Sequence, residues 1–466
     1  MNDRSTLERR EFLKTTAVGL MAGSAAGLLT GNLALGQNSP APPSPTQDQG
    51  ESSGFNPLAE KGMPLEQQAR TWRELTELEY DKQTVHPYTR CRIITMNGIE
   101  VAAAIFKHNM ARHFDNPIVR ERLALTRRIE QQQQKRVNGL VPANEHTLET
   151  TIGYEQVAVD LTAWLAQNEP DPHVKAALDF ALLEDFDHLY RYANVLDMRR
   201  NGYMRPEMIV GRLTEIMPGR PTPVEHCHPL DSVRRWVDFS KASPQTLMNI
   251  MTIVAAEKQT MNFYMNVQNR AEDKVLRGLY NEIGLIEEQH VTHYESLMDP
   301  TCPLLKCAVM HELHECYMYY SFAEQEVDPV VKRLWEVNLD MEIGHLHDAV
   351  AMYKDFAKKD PAEFLPSSLP KPILFQSNID YVRQILAEQV ALTTKHTEYV
   401  NVAELPQDYR YFAWRSSVNG DWVPAGVAIS NHIAQQGEDY RFAVAEHPVP
   451  AYRDRTSPSV DYPQQA

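Results

Sequence analysis

One spacing occurs twice between Glu257 and His345. From Glu257, Glu287 lies 30 residues on and His290 lies 33 on; from Glu312 the same steps reach Glu342 and His345. Glu287-x-x-His290 and Glu342-x-x-His345 each set a carboxylate and an imidazole one turn apart on a single helix face. A polar break falls midway in each span, at 269–273 in one and 326–329 in the other. A turn at that break gives an antiparallel hairpin whose arms rise roughly 22 Å from turn to ligand at 1.5 Å per residue. Each lone Glu then comes level with its Glu-x-x-His partner. Packing the two hairpins together brings four carboxylates and two histidines to one core. Burying such a set without a cation is very unfavourable. Exposure, or a core held by hydrogen bonds and ion pairs, are the structural alternatives. The apolar neighbours Ile283, Ile286, Val337, Leu339 and Met341 mark inward-facing helices.

The pattern recurs 157 residues earlier. Glu257, Glu287 and His290 map to Glu100, Glu130 and Gln133; Glu312, Glu342 and His345 map to Glu155, Asp185 and His188. The two lone Glu residues are 55 apart in each half (155 − 100 and 312 − 257), and Asn116-Pro117 and Asp171-Pro172 supply the breaks. Thr95/Thr252, Phe106/Phe263 and Asn109/Asn266 are identical at the same offset, so the chain reads as an internal duplication of a four-helix unit. The consecutive hairpins of each half are expected to pair. The second half then holds a complete metal site of Glu257, Glu287, His290, Glu312, Glu342 and His345. The first holds an altered one of Glu100, Glu130, Gln133, Glu155, Asp185 and His188, occupied or merely structural. Glu184 is an alternative ligand to Asp185, and Glu315 and Glu288 leave some slack in register.

Over roughly residues 88–358 these motifs resemble the ferritin-like di-iron carboxylate superfamily. The resemblance implies an all-α fold of two tandem ferritin-like four-helix bundles, with extended N- and C-terminal segments. It implies two Fe per complete site, or Mn as the alternative, with Glu287 and Glu342 bridging and Glu257 and Glu312 terminal. The implied function is an oxidoreductase reacting with O2 or peroxide. A manganese catalase-like enzyme and a non-enzymatic iron-binding or storage protein are the alternatives. No catalytic residue beyond the ligands is implied, and a homo-oligomer is compatible.

The remaining segments fit around that frame. Residues 1–36 carry Arg9-Arg10 before an Ala/Gly/Leu run and resemble a twin-arginine export signal, which implies a periplasmic or cell-envelope location; an uncleaved anchor or a general secretory signal are the alternatives. Residues 37–56 are a Pro/Ser/Gln-rich linker. Bundle 1 spans 57–200, with a lead-in helix within 64–84. A Pro-containing connector spans 201–250, bundle 2 spans 251–358, and a helix from Asp380 to about Lys395 plus an irregular tail fills 359–466. A hairpin around Asn419-Gly420 is expected in that tail. Glu225-His226-Cys227-His228 reads as a polar loop rather than a metal cluster, Cys302 and Cys307 are spaced for a disulfide, and Cys316 reads as a core residue. A net charge of −16 argues against nucleic-acid binding. No run beyond the signal is apolar enough to span a bilayer, so no membrane span is expected in the mature chain.

Overall fold

The computed structural model describes residues 52–76, 80–199, 202–220, 226–271, 273–442 and 445–453. The expected export signal, residues 37–51 of the expected linker and the end of the tail lie outside the described residues. Glu225 lies outside them too.

The molecule is mostly helical, as expected, with a single two-stranded sheet among the described residues. Eight long helices carry the fold: α1 Pro87–Ala111, α2 Pro117–Asn138, α3 Thr147–Gln167, α4 Pro172–Asp197, α5 Pro244–Val267, α6 Lys274–Glu295, α7 Leu304–Gln325 and α8 Pro329–Ala357. They pair as four antiparallel hairpins, α1/α2, α3/α4, α5/α6 and α7/α8. The polar breaks act as expected. Asn116, Asp171 and Asp328 each accept hydrogen bonds from two backbone N–H groups of the following helix and precede a Pro in its first turn. Asp273 caps α6. A side-chain acceptor followed by Pro satisfies the orphan donors of a helix start and fixes its first dihedral.

The hairpins do not pair in sequence order. The first packs with the fourth and the second with the third. Arg92 at the start of α1 forms a bidentate ion pair with Glu326, at the turn of the fourth hairpin, through bonds of 2.8 and 3.0 Å. At the other end, Arg122 of α2 pairs with Asp348 of α8 at 2.6 Å. The duplicate repeats the device: Glu169, at the turn of the second hairpin, accepts from Thr246 at 2.6 Å and Asn249 at 2.8 Å at the start of α5. Thr89, Arg92 and Glu169 plus 157 are Thr246, Asn249 and Glu326. Matched hairpins therefore lie head to tail, with the turn of one beside the open end of the other.

Link length explains the exchange. A hairpin placed head to tail on its predecessor must be reached by a connection that runs back along the bundle. Helix α2, with 22 residues, is about 33 Å long. Only residues 139–146, eight in all, separate α2 from α3, and even fully extended they reach about 30–32 Å. They are not extended, since Leu140, Val141 and Glu145 close tight turns. The link between α6 and α7, residues 296–303, is equally short. Each half thus hands its second hairpin to the other half. The expected domains 57–200 and 251–358 interleave instead of forming separate bundles.

The repeat-related helices α1 and α5 meet at Gly98, where a Cβ would lie 2.7 Å from Gln259 Cβ. The expected lead-in helix is absent: among the described residues of 64–84 there is one short 3-10 turn, Leu65–Gln67, and Trp72 is exposed. Instead the segment straps across α8. Met63 N–H donates to Asp340 O at 2.7 Å, and a Cβ on Gly344 would sit 2.1 Å from Met63 O. Upstream, Ser53 is hydrogen-bonded to Leu369, so the last residues of the expected linker are part of the folded unit. The expected connector also contributes a strap: Gly219 crosses α4 at Asp187, where a Cβ would lie 3.0 Å from the backbone.

Beyond α8, helix α9 (Ile379–Gln389) ends earlier than expected, and Leu392–Lys395 and Glu398–Asn401 form the antiparallel hairpin β1/β2. Asn419-Gly420 joins two helices, α10 (Arg410–Asn419) and α11 (Pro424–Gln436), rather than two strands. Gly420 has φ 52° and ends α10, and Pro424 starts α11. No described helix is long and apolar enough to cross a membrane.

Candidate metal centres

The exchanged pairing splits the expected six-residue sets between two clusters. The two-histidine cluster gathers Glu155, Asp185 and His188 from α3/α4 with Glu257, Glu287 and His290 from α5/α6. The lysine cluster gathers Glu100, Glu130 and Gln133 from α1/α2 with Glu312, Glu342 and His345 from α7/α8. All twelve side chains are buried, every one at 3 % exposure or less. The expectation of one complete site in the second half is thereby corrected. His290 and His345 face different clusters, and the first half's Glu155, Asp185 and His188 complete the set that His290 begins.

In the two-histidine cluster, Asp185, Glu257, Glu287 and His290 bring one oxygen or nitrogen each within 4.8 Å of one another, and so do Glu155, His188 and Glu287. Glu287 belongs to both groups. His290 Nδ1 lies 3.2 Å from Asp185 and 3.6 Å from both Glu257 and Glu287. Its far nitrogen, Nε2, lies 3.1 Å from Glu184. His188 Nδ1 lies 2.9 Å from Glu287 and 3.8 Å from Glu155. Glu184 therefore backs an imidazole from outside, the arrangement by which a carboxylate orients a metal-binding histidine. Glu288, the other register candidate, is exposed and accepts from Thr292.

The electrostatics show a set short of positive charge. Burial pushes Glu257 and Glu155 well above the usual carboxylate range, and the negative charges of Asp185 and Glu287 respectively push in the same direction. Burial also raises Asp185. Burial opposes ionisation of Glu287 too, yet the hydrogen bond from His188 and the charges of His188 and His290 hold it at about 2. His290 is raised well above its ordinary value despite its burial, by Asp185 first. Glu155 Oε2, both oxygens of Asp185 and of Glu257, Glu287 Oε2 and His290 Nδ1 are buried and accept or donate no hydrogen bond. Orphaned buried polar atoms of this kind are costly. Oxygen and imidazole donors gathered in two groups that share Glu287 could hold a metal ion.

The lysine cluster keeps the plan but changes its chemistry. Gln133 stands where His290 stands in the duplicate, and its amide donates to Glu342 at 2.6 Å. Glu342 is common to two groups, Glu130/Glu312/Glu342/His345 and Glu100/Glu315/Glu342. Glu315, the alternative to Glu312 in register, therefore joins the cluster as well. Lys107 enters from α1 and pairs with Glu130 and with Glu312, the latter at 2.7 Å. His345 Nδ1 lies 2.9 Å from Glu342, while its Nε2 meets Gln68 Oε1 at 2.6 Å. The Gln68 amide nitrogen donates to Met63 O and Met341 O, so its oxygen must accept from His345 Nε2–H. That places the Nδ1 lone pair toward the carboxylates, an orientation suited to a cation.

Four positions seven residues beyond the lone Glu residues were not anticipated. They are Lys107, Thr162, Tyr264 and Tyr319, on the same helix face as those carboxylates. Three reach across to the lone Glu of the opposite hairpin: Tyr264 hydroxyl donates to Glu155, Tyr319 hydroxyl to Glu100, and Lys107 pairs with Glu312. Thr162 is shorter, and its hydroxyl and both Glu257 oxygens have no hydrogen-bond partner. Tyr264 also begins a buried aromatic group, with Tyr192 at 5.6 Å and Tyr280 at 5.9 Å between ring centroids.

The remaining sequence candidates fall outside both clusters. His226 bonds Leu392 O, Cys227 lies 3.3 Å from the Ser232 hydroxyl, and His228 caps the turn at Pro229–Asp231. Cys302 and Cys307 are thiols, as are the other three cysteines, and Cys316 is buried in the core. A surface cleft of about 510 Å³ between Leu247, Met310, Tyr353 and Phe364 includes no cluster residue. Comparison with family models, with curated proteins and with solved structures gives no match for this chain.

Proposed function

We propose that the protein is an exported ferritin-like di-metal protein, an oxidoreductase that reacts with O2 or peroxide at the two-histidine cluster. The observation that carries this reading is the convergence of Glu155, Asp185, His188, Glu257, Glu287 and His290, with eight buried polar atoms that lack a hydrogen-bond partner, from two head-to-tail hairpins. Four helices bearing two Glu-x-x-His-type pairs and two lone carboxylates make the ligand set of ferritin-like dinuclear sites; here one of the paired carboxylates is Asp185. Iron, with manganese as the alternative, supplies the redox change when bound.

The chain's own groups then have definable tasks. Glu287 belongs to both ligand groups and would be shared between the two ions, with Asp185 beside it in one group. Glu155 and Glu257 would be terminal ligands, and His188 and His290 would each hold one ion. Glu184 fixes the His290 ring, and the Tyr264 hydroxyl orients Glu155. Full burial excludes bulk water and favours small reactants. The export assignment rests on Arg9-Arg10 and the apolar run that follows.

Metal analysis of the purified full chain, with absorbance followed under O2 and under peroxide, tests the proposal. Iron that is oxidised and re-reduced with turnover supports it. Rapid oxygen release from peroxide by the manganese form would move the protein to the catalase-like class. Metal uptake without turnover would leave iron binding as the function.

A further inference from the structure

We infer that the lysine cluster is a mixed cation site, in which the Lys107 ammonium takes one of the two cation positions and a single hard divalent ion takes the other. The inference rests on the ferritin-like reading of the ligand geometry but concerns the cluster that the proposed reaction does not use. The four-ligand group Glu130, Glu312, Glu342 and His345 corresponds position for position to Glu287, Glu155, Asp185 and His188 in the duplicate. In the two-histidine cluster that position has no cationic side chain, because the residue equivalent to Lys107 is Tyr264. Tyr264 stops at the Glu155 carboxylate. Lys107, longer and charged, passes Glu312 and reaches Glu130 as well, and its nitrogen lies 3.9 Å from Glu315. An ammonium in contact with two of the three carboxylates competes directly with a metal ion for that place.

The second position keeps its donors. Glu100, Glu315 and Glu342 converge within 4.8 Å, and Glu100 Oε2 and both Glu315 oxygens are buried without a hydrogen-bond partner. Glu315 has no equivalent in the duplicate, where Ala158 stands. The chain has thus lost an imidazole at Gln133 and gained a carboxylate at Glu315. An all-oxygen set selects hard cations such as Mg²⁺ or Mn²⁺ over softer ones. The two clusters therefore differ in kind: one holds a redox-capable pair, the other a lone ion locked in beside a fixed ammonium.

Reconstitution of the full chain with Mn²⁺, read by metal content per folded chain and by electron paramagnetic resonance, tests this. The wild type is expected to hold three ions, two giving a spin-coupled signal and one an isolated six-line signal. Glu315→Gln should lose only the isolated ion. Lys107→Met should gain a fourth ion and convert the isolated signal to a coupled one. Glu315→Gln keeps the inference testable if Lys107→Met does not fold. A wild type with two ions, both lost in His290→Ala, or with four, overturns the inference. So does a folded Lys107→Met protein unchanged at three. A single ion, insensitive to His290→Ala and lost in Glu315→Gln, would sink the dinuclear reading of the other cluster while sustaining this one.

Discussion

The exchange of hairpins makes a prediction about which substitutions act together. Sequence-order pairing puts His290 and Glu342 in one site. The structure puts His290 with His188, 5.8 Å apart between ring centroids, and puts Glu342 in the other cluster. An ion present at about 1,000 times its Kd stabilises the folded state by about 4 kcal/mol. His290→Ala removes an imidazole from a cluster whose two positions share Glu287, so loss of both ions is expected, worth up to about 8 kcal/mol on the same arithmetic. His188→Ala should produce the same loss, and the double variant His188→Ala/His290→Ala should lose little more. Glu342→Ala acts on a cluster with no ligand in common. Its effect and that of His290→Ala should add to within about 0.5 kcal/mol, as for independent sites. The assay is metal content together with urea unfolding at fixed free metal. Additive losses for His188 and His290, or strong non-additivity between His290 and Glu342, would refute the exchanged pairing.

Three further outcomes follow from contacts outside the ligand sets. Burial holds the Glu282 carboxyl at about 8, with Arg191 only partly offsetting it. The folded state therefore keeps a proton that the unfolded chain has released, and stability from this group falls as pH rises from about 4 to 8. Glu282→Gln should gain on the wild type by roughly 3–5 kcal/mol between pH 4.5 and pH 8, and parallel pH profiles in urea unfolding would refute it. Gly344→Ala places a methyl 2.1 Å from Met63 O; it should release the N-terminal strap, read as faster proteolysis before residue 70 with the helices intact. Gln68→Leu removes the acceptor of His345 Nε2–H; in the Lys107→Met background it should weaken the gained fourth ion, the one His345 faces, by about 10–100-fold, the usual cost of losing an outer partner, while leaving the two-histidine cluster at full occupancy.

The hairpins and their ligands were legible because local chemistry dictates them. The Asn-Pro and Asp-Pro breaks are helix starts whatever the surroundings, and the Glu-x-x-His spacing fixes a helix face. Pairing is a tertiary property that such patterns do not encode. It was nevertheless readable from the eight residues between α2 and α3, which cannot run back along a helix of 22 residues. Lys107 was readable too, as a cation on the same face as Glu100 in a largely buried helix. Gln68 was not, because the strap that carries it has no periodicity and gains its place only from Gly344. Asn419-Gly420 misled for a related reason: the dipeptide marks a sharp turn in either setting, and only the flanking segments decide between strands and helices.

The same geometry makes a statement about the second half taken alone. Residues 244–357 contain one hairpin of each type, joined by a link too short for them to pair with each other. Two copies placed head to tail could instead exchange hairpins. Each resulting cluster would receive Glu257, Glu287 and His290 from one copy and Glu312, Glu342 and His345 from the other, which is the six-residue set with both imidazoles. Tyr264 would replace Lys107 beside Glu312, so neither cluster would contain an ammonium. The truncated chain is therefore expected to be a dimer that binds four ions, two in each shared cluster, and to bind them only on dimerisation. Sedimentation at increasing concentration with metal content measured on each species checks this. A metal-loaded monomer would show that consecutive hairpins can close on themselves, and the link-length argument would fail with it.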